Sequence, residues 1–257
     1  MKIALIGYGK MGKMIEQIAL GRGNEISCRI DKENPEDFGS EAFLGSDVAI
    51  EFTTPSTAAA NIAECFRAGI PVVCGTTGWV NETGASGKTL LEEARDRCEA
   101  GEGTLLWASN FSIGVNIFMA VNRYLARIME SFADYTPSMT ETHHIHKLDH
   151  PSGTAISLAH QIEENNSRIT GWAEPEEGKT MQPGILEISH VREGEVPGIH
   201  TIVWDSPTDD ITITHSAKSR QGFALGAVMA AEWLAGKKGF RTLPEMLAEI
   251  TRQDIFK

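Results

Sequence analysis

The feature that most constrains the fold is a short stretch near the N-terminus. Residues 7–12 read GYGKMG, a complete G-x-G-x-x-G, directly after the apolar run KIALI at 2–6. A short apolar run ending in glycines reads as a buried strand, and Met11 to Leu20 reads as the helix that follows. In such a strand–turn–helix unit Gly7 permits the tight turn. Gly9 lets the backbone approach a pyrophosphate, and Gly12 lets the helix pack closely on the strand. The helix start then offers free N–H groups and the positive end of its dipole to phosphate. Asp31 ends a second apolar run, EISCRI at 25–30, nineteen residues after Gly12. A carboxylate at that place can hold an adenosine ribose. The competing reading is an ordinary glycine turn with a solvated aspartate, and the matched context weighs against it.

The same alternation continues. DVAIEF (47–52), PVVCG (71–75) and TLLWAS (104–109) read as further strands. STAAANIAECFRAG (56–69) reads as a helix opened by Ser56 as N-cap and closed by Gly69, and residues 87–100 as another. Strands alternating with helices imply parallel pairing in a doubly wound sheet. FTTPS (52–56) and GTTGW (75–79) follow the third and fourth strands. Strand ends of this kind line a ligand crevice, although plain turn chemistry would account for either loop alone. The pattern then changes. Residues 114–130 read as a long amphipathic helix, and another helix runs from HPSGTA to about Asn166. Residues 185–217 alternate apolar and polar, with turn chemistry at REGEVPG and SPTDD, and read as antiparallel strands joined by hairpins. Residues 223–236 and 243–250 are helical again. The expected fold class is α/β: a Rossmann-type doubly wound parallel sheet with an inserted α+β domain holding an antiparallel or mixed sheet. Residues 1–109 with 220–257 form the dinucleotide-binding domain, and 110–219 the insert.

The formal net charge of the 257 residues is -12. That argues against nonspecific binding to nucleic acid or to anionic membranes, and any anionic ligand needs a local positive patch. Cys28, Cys65, Cys74 and Cys98 form no C-x-x-C pair, so neither a zinc ribbon nor a thioredoxin-like motif has support. The N-terminus lacks a signal-peptide pattern, and no apolar run reaches the roughly 18 residues of a membrane span. A soluble, reduced, cytoplasmic protein is expected.

Residues 141–155, ETHHIHKLDHPSGTA, place four histidines and a lysine between 143 and 150. One reading is a metal site from His143, His144 and His146 with Asp149, but there is no H-E-x-x-H and no helical i, i+4 spacing. A second is a solvated polar loop. A third explains more: PSGTA starts a helix, where Ser152, Gly153 and Thr154 offer N–H groups and hydroxyls to an anion. Lys147 adds a point charge, and a histidine with a pKa near 7 could deliver a proton. No metal is expected.

This stretch resembles the signature of the 4-hydroxy-tetrahydrodipicolinate reductase (dihydrodipicolinate reductase) family, E-x-H-H-x-x-K-x-D-x-P-S-G-T-A. The resemblance runs on through GYGKMG, GTTG, ASNFSIGVN (108–116) and SRQGFALGAVMAAEWLAGKKG (219–239), in the family's order and over nearly the whole chain. Two positions depart from it. His150 stands where members commonly carry alanine, and Thr54 where some carry an arginine that helps hold the cofactor. The resemblance implies reduction of a cyclic dicarboxylate to tetrahydrodipicolinate by NADH or NADPH, in lysine/diaminopimelate biosynthesis. It implies His143 as proton donor and Lys147 as a second donor that also contacts substrate, with His144, Gly153 and Thr154 at the substrate carboxylates. It implies cofactor contacts from Gly7, Tyr8, Gly9, Lys10, Met11 and Gly12, and from Asp31 and Lys32. Further cofactor contacts are implied at Gly75, Thr76 and Thr77, and at Ala108, Ser109, Asn110 and Phe111. Residues 110–219 become a substrate-binding and oligomerisation domain, with a homotetramer built through the 185–217 sheet. NADH preference is expected, because Asp31 would repel the 2′-phosphate of NADPH and Lys32 offsets this only in part. Two rivals stay open: another NAD-linked dehydrogenase, such as a semialdehyde dehydrogenase using Cys74 as nucleophile, and a dinucleotide-sensing regulator. Cys74 has no base named beside it and reads as a buried strand residue.

Overall fold

The computed structural model describes residues 1–178 and 180–256. The chain forms two compact units, Met1–Ile113 with Gln221–Lys257, and Gly114–Arg220. It begins with β1 (Lys2–Ile6), α1 (Lys10–Gly21), β2 (Glu25–Ile30), the short α2 (Glu41–Leu44), β3 (Val48–Glu51), α3 (Pro55–Ala68), β4 (Val72–Cys74), α4 (Leu90–Glu99) and β5 (Thr104–Trp107). The middle of the chain supplies α5 (Ile113–Met129), β6 (Thr136–His143), α6 (Gly153–Asn165), β7 (Gly171–Ala173), β8 (Ile185–Arg192), β9 (Ile199–Asp205) and β10 (Asp210–Ser216). The chain then closes the first unit with α7 (Gln221–Leu234), β11 (Gly239–Arg241) and α8 (Leu243–Thr251).

In the first unit the strands lie in the order β11-β5-β4-β3-β1-β2, every pair parallel. The strand residues of β1, β3 and β4 are almost wholly apolar and buried, as a sheet covered by helices on both faces requires. From β1 the chain steps outward to β2 and then returns across β1 to β3. The direction of winding therefore reverses at β1 and β3, and a ligand crevice belongs at their carboxyl ends. The expected doubly wound sheet is present, with β11 as an additional edge strand too short to show a period in sequence. α3 starts at Pro55 with Thr54 as N-cap, not at Ser56, because proline's fixed φ suits the first helical position. Its end is as expected: Gly69 adopts φ +70.

In the second unit the order is β10-β9-β6-β8-β7. β6 pairs antiparallel with β9 and β9 with β10, whereas β6–β8 and β8–β7 are parallel. SPTDD joins two neighbouring antiparallel strands, but REGEVPG is not a hairpin. β8 and β9 flank β6, so that loop passes over the carboxyl end of β6, where the N–H of Glu193 donates to the carbonyl of His143 at 2.8 Å. β6 has no counterpart among the expected elements, because its sequence TPSMTETH carries few apolar residues. Its inner row is Pro137, Met139, Glu141 and His143, all buried. Met139 joins Leu186, Ile188, Ile202 and Trp204 in a core covered by Phe118, Ala126 and Met129 of α5 and by Leu158 and Ile162 of α6. The inner face is thus apolar at one end and polar at the carboxyl end of β6.

Candidate active site

The turn between β1 and α1 has the shape its glycines predict. Gly7 has φ +90, and a Cβ there would lie 2.1 Å from the Phe52 carbonyl oxygen. A Cβ on Gly12 would lie 2.2 Å from the Gly7 carbonyl oxygen, whereas one on Gly9 meets nothing within 4 Å. The middle glycine therefore faces open space, and no side chain caps the start of α1. Such a cradle fits a pyrophosphate. A cavity of about 520 Å³ lies here, lined among others by Gly7, Tyr8, Gly9, Asp31, Lys32, Phe52, Thr53 and Thr54. Its size is within the usual range of small-molecule sites, about 300–1,000 Å³. The Asp31 carboxylate accepts the N–H of Tyr8 at 3.1 Å and that of Lys32 at 2.8 Å, which ties it to the glycine turn. Lys32 Nζ lies 3.3 Å from the Glu33 carboxylate, both well exposed.

The other expected cofactor residues fall into three groups. Lys10, Met11 and Gly12 begin α1. Gly75, Thr76 and Thr77 follow β4, and Ala108, Ser109, Asn110 and Phe111 follow β5; none of these seven lines the cavity. Thr76 is a brace: its hydroxyl accepts the N–H of Thr53 at 2.9 Å, and its carbonyl accepts the indole N–H groups of Trp79 at 2.9 Å and Trp107 at 3.0 Å. Sequence reading missed Glu51, the last residue of β3, whose side chain is fully buried. It accepts the Cys74 thiol at 2.9 Å, the N–H of Thr53 at 3.1 Å and the Thr53 hydroxyl. Burial and this neighbouring carboxylate hold the Cys74 thiol well above its ordinary pKa, so Cys74 is no thiolate nucleophile.

The second constellation lies at the polar end of the inner face in the second unit. Glu141 is fully buried. It accepts the N–H of Ser152, the N-cap of α6, at 3.0 Å and the Arg192 guanidinium at 3.2 Å. Its carboxylate also lies 3.6 Å from His143 Nδ1 and 3.8 Å from His200 Nε2, and the Ser152 hydroxyl lies 3.2 Å from that same His200 nitrogen. Arg192 also donates to the carbonyls of Lys147 at 3.2 Å and Asp149 at 2.8 Å, which shapes the loop before α6. Lys147 Nζ pairs with Asp149 at 2.8 Å. His143 Nδ1 and His144 Nδ1 are buried with no hydrogen-bond partner among the described residues. Buried polar atoms are normally paired, and the group that faces His143 Nδ1 is the Glu141 carboxylate, 3.6 Å away and just beyond hydrogen-bond distance. Gly153 is exposed and Thr154 half-buried at the start of α6.

Charge follows from this geometry. Burial lowers the His143 pKa below the ordinary histidine value, against the pull of Glu141, and lowers His200 to about 4. Burial opposes ionisation of Glu141, but the hydrogen bonds from Ser152, the His143 charge and Arg192 together hold its pKa below the usual carboxylate value. Near neutral pH the site is therefore a buried carboxylate between neutral imidazoles, with Lys147 and Arg192 as cations. The four histidines of the 141–155 stretch do not converge. His143 turns inward, His146 pairs with Glu195 at 2.9 Å, and His150 pairs with Glu174. Asp149 takes Lys147, so the grouping of His143, His144, His146 and Asp149 does not form. Arg192, His200 and Gly198 come from elsewhere in the chain and carry no local signal. A Cβ on Gly198 would lie 3.1 Å from His143 Nε2. Glu141 shares the inner strand face with His143, two residues on, but that pairing becomes visible only once β6 is known to be a strand.

The family model described as dihydrodipicolinate reductase, N-terminus, matches residues 1–111, and the one described as its C-terminus matches residues 114–247. The chain belongs to the dihydrodipicolinate reductase family. It is similar to the 4-hydroxy-tetrahydrodipicolinate reductase of Christiangramia forsetii, 45% identical over 97% of this chain and 99% of that one. It is 32% identical to the enzyme of the same name from Archaeoglobus fulgidus, over 96% of this chain and all of that one. Among solved structures it resembles the dipicolinate-bound dihydrodipicolinate reductase of Paenisporosarcina sp. TG-14, with a TM-score of 0.74 at 22% identity, covering 94% of this chain and 97% of that one. An amine dehydrogenase from Mycobacterium smegmatis shares the fold at a TM-score of 0.56 and 12% identity, over 94% of each chain.

Proposed function

We infer that this reductase converts 4-hydroxy-tetrahydrodipicolinate to tetrahydrodipicolinate with NADH or NADPH, in lysine/diaminopimelate biosynthesis. One observation carries the reading beyond the family likeness. The polar end of the second sheet sets His143, His200 and the Ser152 helix start around the buried Glu141 carboxylate, with Lys147 in the adjoining loop, which suits a dicarboxylate that must be protonated.

The β1–α1 turn, with Gly7, Tyr8, Gly9 and the first residues of α1, would hold the cofactor pyrophosphate, and Asp31 the adenosine ribose. When bound, the nicotinamide supplies the hydride. The protein's own groups do the rest. Lys147 and the Gly153–Thr154 helix start hold the two carboxylates, with His144 beside them. In the free protein burial keeps His143 neutral. A dianionic ring placed against it favours the imidazolium, so His143 takes up a proton as substrate binds. Loss of the 4-hydroxyl as water leaves a conjugated imine; once hydride adds to it, negative charge develops on the ring, and His143 donates its proton there, so one water leaves while one hydride and one proton enter. Glu141 stabilises the imidazolium and fixes the ring's orientation. Lys147 is the second donor candidate.

NADH is the preferred cofactor in this reading. Asp31 repels a 2′-phosphate, and Lys32 already pairs with Glu33. Association into a homotetramer uses the outer face of the second sheet, where Thr140, Thr142, Thr201 and Val203 are partly or fully exposed. Four free cysteines, three of them buried, suit a reducing cytoplasm. Among the described residues no helix is long and apolar enough to cross a membrane. Steady-state inhibition by dipicolinate tests the site. Inhibition competitive with the cyclic substrate is expected, and an open-chain semialdehyde dehydrogenase would be indifferent to it.

A further inference from the structure

A second group of metal-ligating side chains lies in the second unit, apart from the constellation around Glu141. His150 stands in the loop before α6, Glu174 directly after β7, and His190 on β8. Glu174 Oε1 lies 2.9 Å from His150 Nδ1 and 2.7 Å from His190 Nδ1, and Oε2 lies 3.1 Å from His150 Nδ1. The two imidazoles stack, with centroids 4.1 Å apart and 22° between their planes. One ligand atom from each residue lies within 4.8 Å of the other two. The side chains are 47%, 30% and 35% exposed, so the group opens to solvent.

We propose that His150, Glu174 and His190 bind a divalent transition-metal ion of the zinc class, with water completing the coordination.

The donor set decides the class of ion. Two imidazoles and one carboxylate suit zinc, cobalt, nickel or copper, whereas magnesium and calcium seek oxygen ligands. Metal–ligand bonds of about 2.0–2.2 Å in a tetrahedral site set the donor atoms roughly 3.3 Å apart. The nitrogen–oxygen separations need to open by only a few tenths of an ångström, and the stacked rings need to tilt so that both lone pairs meet. The exposed side chains of His150 and His190 have room for that. Three chain segments would be joined: the substrate-side loop, the residue after β7, and β8. His150 is three residues after Lys147 and two before Ser152, so a bound ion would fasten the loop that presents Lys147. Glu141, His143 and His200 also bring three ligand atoms together, but they are buried and the Arg192 guanidinium lies 3.2 Å from Glu141. A fixed cation at that distance opposes a metal ion there, which separates the two groups chemically.

The test is calorimetric titration of the full, untagged chain, stripped with chelator, at mildly alkaline pH, since metal ligands bind in their deprotonated form. Zinc is expected to bind with a stoichiometry of one per chain at the exposed group, and magnesium not to bind. Loss of even an outer-shell partner weakens metal sites about 10–100-fold, so His190→Ala and Glu174→Gln should each weaken zinc at least that much. His146→Ala and His143→Gln should bind zinc as the wild type does. Unchanged metal-free reductase turnover in His190→Ala shows that this variant is folded, and cobalt spectra of the same proteins read the ligand change directly. Equal zinc affinity in wild type, His190→Ala and Glu174→Gln overturns the assignment, as does loss of binding in His143→Gln or a wild type that takes up no zinc.

Discussion

His143 is a buried imidazole whose resting state is wrong for an acid. Its pKa lies below the ordinary value because burial disfavours the charged ring. An acid that gains its proton from the act of binding substrate leaves two different marks on the pH profile. In kcat/KM, which reports the free enzyme, activity should fall as pH rises through an inflection below the ordinary histidine value of about 6.5. In kcat, which reports the bound enzyme, the inflection should move to higher pH. Coincident inflections above about 7 in both profiles would speak against proton uptake by His143. His143→Gln keeps size and polarity but cannot act as an imidazolium, and should lower kcat about 10²-fold or more with a smaller change in KM. Near-normal turnover in that variant removes His143 from the chemistry. At the other site, Lys32 is the residue that can read the 2′ position, although Glu33 competes for it. Lys32→Ala should raise the KM for NADPH selectively and leave NADH kinetics nearly intact, a contrast that fades at high salt because exposed charges are screened. Equal losses with both cofactors would show that Lys32 does not read that position.

At the scale of elements, the proposed dicarboxylate site is the junction of β6, β8 and β9 with the start of α6. Arg192 on β8 pins the loop that carries Lys147, and Gly198 before β9 leaves room for His143. Lys147→Ala should weaken dipicolinate binding measured by calorimetry while NADH binding changes little; unchanged affinity would count against the anion pocket. Gly198→Ala pushes on the His143 ring from 3.1 Å. The ring must give by a few tenths of an ångström, and misplacement of a catalytic group by about 1 Å can cost on the order of 10²-fold, so this neighbouring substitution should lower kcat by less than that without touching dipicolinate stoichiometry. A kcat equal to wild type would mean that His143 tolerates the shift. These elements also show where sequence was informative. The β1–α1 turn was legible because its three glycines answer to local geometry, and Gly12 indeed packs against the Gly7 carbonyl. The helix start at Ser152 was legible for the same reason. β6 was not, since a strand whose inner row ends in Glu141 and His143 lacks an apolar period. Neither was the crossover at REGEVPG, because turn chemistry says that a chain bends but not which strand it joins next. Arg192 and His200 reach the site only through pairing with β6, and pairing of distant strands has no local signature.

Across the whole molecule, the same buried groups make stability depend on pH. His200 falls from 6.5 to about 4 on folding. Its folded pKa is the lower one, so the unfolded chain binds the proton more readily between those values. The stability it contributes is present above about 6.5, is lost as pH falls through the window, and loses nothing more below about 4. The shift corresponds to an upper bound of about 3 kcal/mol, with His143 adding in the same direction. Urea midpoints should therefore decline from near-neutral to acid pH, and His200→Asn should flatten that slope; an identical slope in the variant would mean that His200 titrates normally. The whole chain serves a single activity, reduction of a cyclic dicarboxylate by a reduced nicotinamide. Its most direct measurement is NADH consumption by the purified protein when aspartate semialdehyde and pyruvate are condensed enzymatically in the same cuvette. One NADH should be oxidised per cyclic product formed, and none with either precursor alone. NADH loss with aspartate semialdehyde alone, or none with the condensed product, would contradict it.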